Sequence, residues 1–258
     1  MSTTYAITVD GHLDDHGADR LRGLGIARND DGTSILTGPI TDQAELYGVL
    51  AALSGIGATL LSLRVIEPVP SPVLDRPLHT DRLTIRQAKA EDAEATWSFR
   101  RLDGVTEWLT SRPAGFDDWR TVFSAPARLA TTAVIELDNT IIGDLMLRRE
   151  DAWSQQEVAG QATGTQVELG WVLDPAHTGR GYAAEAAGEL IRYCFEDLGV
   201  RRIVAVCFYD NEGSWRLMER LGMRREQHGV RDSLHRSGQW LDSLGYAILA
   251  EDWTPTRP

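Results

Sequence analysis

Proline limits a chain more than any other residue, because its ring fixes φ and it has no N–H to give a helix or sheet. Four of the ten prolines fall in one short run, Glu67-Pro68-Val69-Pro70-Ser71-Pro72-Val73-Leu74-Asp75-Arg76-Pro77. Such a run reads as an extended, semi-rigid linker over residues 67–77. It divides the 258 residues into a small domain over 1–66 and a larger one over 78–258. Hydrophobic residues make up 42% of the chain and charged residues 25%, enough apolar surface for a core in each part.

Charge and cysteine content narrow the function classes. With 26 basic and 38 acidic residues the formal net charge is −12. A chain so acidic lacks the positive field that phosphate backbones and anionic membranes require, so neither nucleic acid nor membrane is expected as a partner. Cys194 and Cys207 stand far from any paired spacing, which indicates neither a disulfide framework nor a zinc site, and the six histidines have no metal-ligand spacing. The first fifteen residues lack the basic and apolar regions of a signal peptide. The apolar stretch 56–66 is short and is interrupted by Arg64, so a soluble, cytoplasmic protein is expected.

The first domain reads as a β-α-β-β-α-β plait. Residues 5–9 form a strand and 14–24 a helix; Asn29-Asp30-Asp31-Gly32 is a hairpin turn leading to a strand at 34–37. Leu46, Val49, Leu50 and Leu53 mark one face of a helix over 42–54, and 58–66 closes the sheet. This order suits a ferredoxin-like sheet. No catalytic constellation falls in it. Its expected contribution is dimerisation, which would make the protein a homodimer, or covering the acceptor end of the second domain.

In the second domain a strand at 82–86 precedes a helix at 91–99. Short helices follow around 105–109 and 117–123, then a hairpin of 131–137 and 141–148 about Asp138-Asn139. Residues 150–165 read as a polar loop. A strand at 166–173 leads to a helix at 181–198, a strand at 202–208 to a helix at 214–221, and 223–250 forms two strands about Arg236-Ser237-Gly238.

The informative stretch is Glu168-Leu169-Gly170-Trp171-Val172-Leu173 followed by Thr178-Gly179-Arg180-Gly181-Tyr182-Ala183. A strand runs into a glycine turn that opens directly onto an amphipathic helix. The first amides of a helix have no intrahelical partner, and glycines let a bulky anion approach them. The same pattern also serves as a tight strand-to-helix turn. It is neither a P-loop nor a dinucleotide fingerprint, since the Gly-Lys-Ser/Thr ending and the Gly-x-Gly-x-x-Gly run are absent.

Together with Thr80-Asp81-Arg82-Leu83-Thr84-Ile85-Arg86, Asn211-Glu212-Gly213-Ser214 and Gly238-Gln239-Trp240-Leu241-Asp242, this ordered set resembles the GNAT superfamily of N-acetyltransferases, of the RimJ/RimL kind, over residues 78–253. The resemblance implies an α+β fold, a mixed and mostly antiparallel sheet flanked by helices, and acetyl-CoA as cosubstrate without a metal. Carried over by position, Thr178, Gly179, Arg180, Gly181, Tyr182 and Ala183 would hold the diphosphate. Thr178 departs from the glutamine or arginine usual there. Val172 and Leu173 would pair with pantetheine, and Asn211 and Ser214 would stand near its arm and sulfur.

The implied activity is acetyl transfer to a primary amine, by direct attack in a ternary complex. The acceptor would be a protein N-terminus, a small metabolite or an amine-bearing antibiotic. The alternative is a non-catalytic acyl-CoA sensor on the same fold. Glu168 is the candidate base, unless it is merely an exposed strand carboxylate. Ser214 is the candidate proton donor to the thiolate, or a helix cap. Trp171 and Trp240 would line the acceptor cleft or pack in core and hairpin. Asp103, Glu107, Asp117 and Asp118 would attract a cationic amine or form a solvated face. Cys194 and Cys207 read as structural thiols and His177 as a loop residue.

Overall fold

The computed structural model describes residues 3–13, 21, 23–29, 31–65 and 71–254. Its contacts divide the chain into two compact units, 1–69 and 70–258. The first unit contains strands β1 (Thr3–Asp10), β2 (Gly25–Arg28), β3 (Thr33–Ile40) and β4 (Leu60–Val65), with helix α1 (Gln43–Gly55) between the last two. They form an antiparallel sheet in the order β2-β3-β1-β4, the arrangement of a ferredoxin-like plait. Asp42 starts α1 by accepting the Glu45 N–H at 2.8 Å, and the Glu45 carboxylate accepts the Thr41 N–H at 2.7 Å. Val49 and Leu53 of α1 then pack on Ile7, Val9 and Leu36 of the sheet. The helix expected over 14–24 lies mostly outside the described residues.

The second unit is built on an eight-stranded sheet in the order β11-β12-β10-β9-β8-β7-β6-β5. Its strands are β5 (Leu78–His79), β6 (Thr84–Gln87), β7 (Thr132–Leu137), β8 (Thr140–Glu150), β9 (Gln166–Leu173), β10 (Arg202–Phe208), β11 (Arg224–Leu234) and β12 (Trp240–Leu249). Only β9 and β10 run parallel to each other; every other neighbouring pair is antiparallel. Asp138 and Asn139 make the β7–β8 turn with φ of 49° and 63°, the left-handed pair that matches strand twist in a two-residue hairpin.

Helices cover both faces. On one side α2 (Ala93–Arg100) and α4 (Phe116–Phe123) bury Trp119 and Phe123 against Ala93 and Val134, with short α3 (Asp103–Thr106) and α5 (Pro126–Ala130) beside them. The buried indole N–H of Trp119 donates to the Ala93 carbonyl at 3.0 Å, so its burial leaves no polar group unpaired. On the other side α7 (Tyr182–Glu196) lays Ala186, Leu190 and Ile191 over Leu145, Val167 and Leu169. Helix α8 (Glu212–Arg220) packs beside α7 and buries Leu217 and Met218.

Several elements were not legible in the sequence. Strand β5 has two residues, too few for any alternation, and α5 is one turn opened by Pro126. The stretch 150–165, expected as a loop, carries a 3-10 turn at Gln156–Val158 and the single-turn helix α6 (Ala159–Ala162). Strands 166–173 and 202–208 stand where the hydrophobic pattern put them.

Candidate active site

The site begins where two parallel strands part. β9 and β10 pair only from Arg202 with Gln166 to Val204 with Glu168. Beyond that point they diverge, while β9 stays bonded to β8 and β10 to β12. The Asp174 N–H donates to the Ile142 carbonyl at 2.8 Å, and Leu173 stands opposite Gly143. This sets the phase of the ladder: the backbone groups of 168, 170 and 172 bond β8, and those of Trp171 and Leu173 point into the gap. Val172 therefore has its backbone committed to the sheet, and what it offers the cleft is its side chain. A cavity of about 860 Å³ occupies the gap, within the range of small-ligand sites.

At the end of β9 the chain turns through a 3-10 turn at Pro175–His177, held by Asp174 accepting the Ala176 N–H at 3.0 Å. Gly179 and Gly181 then adopt φ of +75° and +84°, a left-handed backbone that side-chain-bearing residues rarely take. The Thr178 N–H is spent on the Pro175 carbonyl at 3.3 Å. Among the described residues, none of the N–H groups of 179–184 donates to a protein acceptor. They form a concavity of backbone donors at the start of α7, whose dipole adds partial positive charge. Among the described residues the exposed Arg180 guanidinium has no acidic partner.

One carboxylate stands close to these donors. Glu185, in the first turn of α7, accepts from the Thr80 hydroxyl at 2.5 Å and from the Arg82 side chain at 2.8 and 2.5 Å. Burial pushes its carboxyl upward, but these bonds outweigh burial and hold it below the usual carboxylate range. Arg82 also donates to the Arg180 carbonyl at 3.2 Å and lies over the Tyr182 ring at 4.5 Å. Glu185 is thereby neutralised where it would otherwise repel an anion. Neither Arg82 nor Glu185 was singled out from the sequence; an acidic residue inside a glycine-loop helix start was the available signal.

Across the gap, α8 starts at Asn211, whose side-chain oxygen accepts the Ser214 N–H at 3.3 Å. Asn211 is thus the cap, and Ser214, read from the sequence as a possible cap, sits inside the first turn with its hydroxyl beside the Cys207 thiol. Both line the cavity. Burial raises the Cys207 thiol to about 11 and the fully enclosed Cys194 thiol to about 12, so neither is a ready nucleophile at neutral pH.

Strand alternation separates the remaining candidates. Leu169 and Trp171 face α7, with Trp171 packed partly into that core while still lining the cavity. Glu168 lies on the opposite face with Val172, ion-paired to Arg148, which also bonds Glu150 at 2.8 Å. Trp240 does not line the cavity; it starts β12 and is 57% exposed. The aromatic wall is instead Trp108, with centroids 5.9 Å from Phe208 and 5.6 Å from His235. These three meet from distant parts of the chain, which no local pattern announces.

The four acidic residues named for the acceptor side stay outside this cavity. Asp103 pairs with Arg112, Asp117 with Arg120, and Asp118, in the first turn of α4, accepts the Ala114 N–H at 2.9 Å; Glu107 is exposed. His177 stands beside the glycine loop with Nδ1 3.4 Å from Asp174. Among the described residues no cluster of His, Cys, Asp and Glu could hold a metal ion, and no helix is long and apolar enough to cross a membrane.

Comparison with known proteins identifies the family. The profile of the acetyltransferase (GNAT) domain matches residues 82–224, and that of Domain of unknown function (DUF8691) matches 4–64. The uncharacterized N-acetyltransferase YnaD of Bacillus subtilis is 31% identical over 175 residues, covering 67% of this chain and 97% of YnaD. The [ribosomal protein uS5]-alanine N-acetyltransferase of Escherichia coli is 35% identical over 89 residues, 34% of this chain and 45% of that protein. A GNAT-family acetyltransferase structure from Bacillus anthracis superposes with a TM-score of 0.59 at 29% identity, covering 68% of this chain and 99% of that one. The chain belongs to the GNAT acetyltransferase family. It is a GNAT-type acyltransferase, with RimJ/RimL-like ribosomal-protein acetyltransferases among its relatives and structural neighbours.

Proposed function

We propose that the protein transfers an acetyl group from acetyl-CoA to a primary α-amine, by direct attack within a ternary complex. One observation carries the reading: the free N–H groups of 179–184 lie at the open edge of β9. Those amides and Arg180 would hold the diphosphate, and Trp171 and Leu173 would offer backbone partners to the pantetheine arm. Bound acetyl-CoA supplies an activated acyl thioester. The residues 1–66 would fold as a separate domain.

The attacking amine must be neutral. An α-amine, with a pKa of about 7.7–8.0, is roughly 10–15% neutral at pH 7, whereas a lysine amine near 10.4 is almost wholly protonated. Of the two carboxylates lining the cavity among the described residues, Asp144 is buried and gripped by Arg100, which leaves Glu168 as the one candidate base, and a single base suits the α-amine. Glu168 takes the proton as the N–C bond forms, the Ser214 hydroxyl gives one to sulfur as the C–S bond breaks, and the proton held by Glu168 returns to Ser214 through solvent, so that one proton passes in net from nitrogen to sulfur. That the E. coli relative is named for a ribosomal-protein alanine supports an N-terminal residue as acceptor.

Thiol release from acetyl-CoA, measured with a panel of amines and N-terminal peptides, tests the reading. Glu168→Gln should lower kcat by about a hundredfold while leaving coenzyme A affinity unchanged. Binding of coenzyme A without turnover of any amine would favour a sensor instead.

A further inference from the structure

The acceptor side of the cavity holds a charge the chemistry above does not use. Arg100 on α2 grips Asp144 on β8 through two bonds of 2.6 and 2.5 Å, with side chains only 9% and 2% exposed. Arg128, on α5, turns its guanidinium toward the same pair, and all three line the cavity. Arg128 Nε is buried and has no hydrogen-bond partner among the described residues. Burial and the neighbouring Arg100 cation pull its guanidinium below the usual range, with Asp144 opposing them, and it stays charged at neutral pH.

The charges do not balance. Asp144 is one negative charge between two arginines, and its oxygens are already engaged by Arg100. The only other acid lining the cavity, among the described residues, is Glu168, and Arg148 holds it. A half-buried cation without a partner is costly, and such groups are normally paired or meet an anion. Here the free side of the cation faces an open cavity.

Position narrows the ligand. Asp144 stands opposite Val172, Met146 opposite Gly170 and Arg148 opposite Glu168 on one sheet face. At about 3.3 Å per residue, Gly170 lies roughly 7 Å from either end of that row. An amine over Gly170, where no side chain intervenes, would have Glu168 on one side and the Arg128 guanidinium on the other. We propose that the acceptor amine carries a carboxylate, which Arg128 binds. The inference rests on the acetyltransferase reading and adds the acceptor's charge class to it.

Matched acceptors test it: alanine against alaninamide, and the peptide amides Ser-Glu-Ala-Ala-NH2 against Ser-Gln-Ala-Ala-NH2. In the wild-type protein the carboxylate member of at least one pair should be favoured about tenfold or more in kcat/KM expressed per neutral amine, which removes the difference in amine basicity between a free amino acid and its amide; about tenfold is the effect of one charged hydrogen bond. Preference in the first pair assigns a free amino acid, in the second an acidic N-terminal segment. Arg128→Gln should bring the ratio close to one with the KM for acetyl-CoA unchanged, and Arg128→Lys should restore part of it. Equal turnover within both pairs overturns the inference while leaving the acetyltransferase reading intact. Loss of acetyl-CoA affinity in Arg128→Gln with the ratio retained would assign the arginine to the cosubstrate and also overturn it. If Arg128→Gln does not fold, the wild-type ratios decide. Coenzyme A binding with no turnover of any acceptor contradicts both.

Discussion

The two ends of the cleft are built from different materials. At the start of α7 the groups proposed to recognise the cosubstrate are backbone N–H donors left free by the helix geometry and two left-handed glycines. On the face proposed for the acceptor they are side-chain charges: Arg100 bonded to Asp144, Arg128 beside that pair, and Glu168 held by Arg148. A backbone site asks little of side-chain identity, which is how Thr178 can replace the usual residue without removing the donors. A side-chain site depends on each residue, and its buried charges make it part of the core as well.

The contrast breaks most visibly at Arg100. Arg100→Ala leaves Asp144 buried beside Arg128 alone, and removing one partner of a buried ion pair typically costs about 3–5 kcal/mol. A large fall in Tm is expected, together with loss of acceptor turnover. Gly181→Val should do the reverse. A β-branched residue at φ of +84° strains the loop by about 1–2 kcal/mol and moves the amides. The expected result is a rise of about tenfold in the Kd for coenzyme A, measured by calorimetry, with acceptor preference unchanged. Equal damage to both functions by either variant would dissolve the distinction.

Arg82→Ala gives a smaller effect that sharpens it. Freed of Arg82, the Glu185 carboxylate would face the anion site, so coenzyme A should bind about fivefold more weakly, with Glu185→Gln restoring affinity. The pH dependence has a definite sign. Glu185 titrates below its ordinary 4.5 in the folded chain, so the clamp's stabilisation is present above that value. It is lost as pH falls through the folded value. The difference in Tm between wild type and Arg82→Ala should therefore close in acid.

The same division explains what could be read from the sequence. Strands 166–173 and 202–208, the glycine loop and the Asn211–Ser214 turn are local patterns, and the structure has all of them. Glu168 was legible as a strand carboxylate, but the face it takes depended on where α7 packs. Trp240 looked equivalent to any cleft tryptophan; only the β11–β12 pairing shows it at an exposed strand start, while Trp108 takes the wall. Arg100 and Asp144 are 44 residues apart, and Arg128 reaches them from a helix of one turn. Pairings across such distances are decided by sheet register, which hydrophobic alternation does not encode.

The central claim is that free amides opening α7 bind the diphosphate of the cosubstrate. Amide-resolved NMR titrations with coenzyme A and with pantetheine, which lacks the diphosphate, test it directly. Coenzyme A should shift the signals of 179–184 strongly, and pantetheine should move Trp171 and Leu173 while leaving 179–184 in place. Saturation by coenzyme A with the 179–184 amides unmoved would contradict the account.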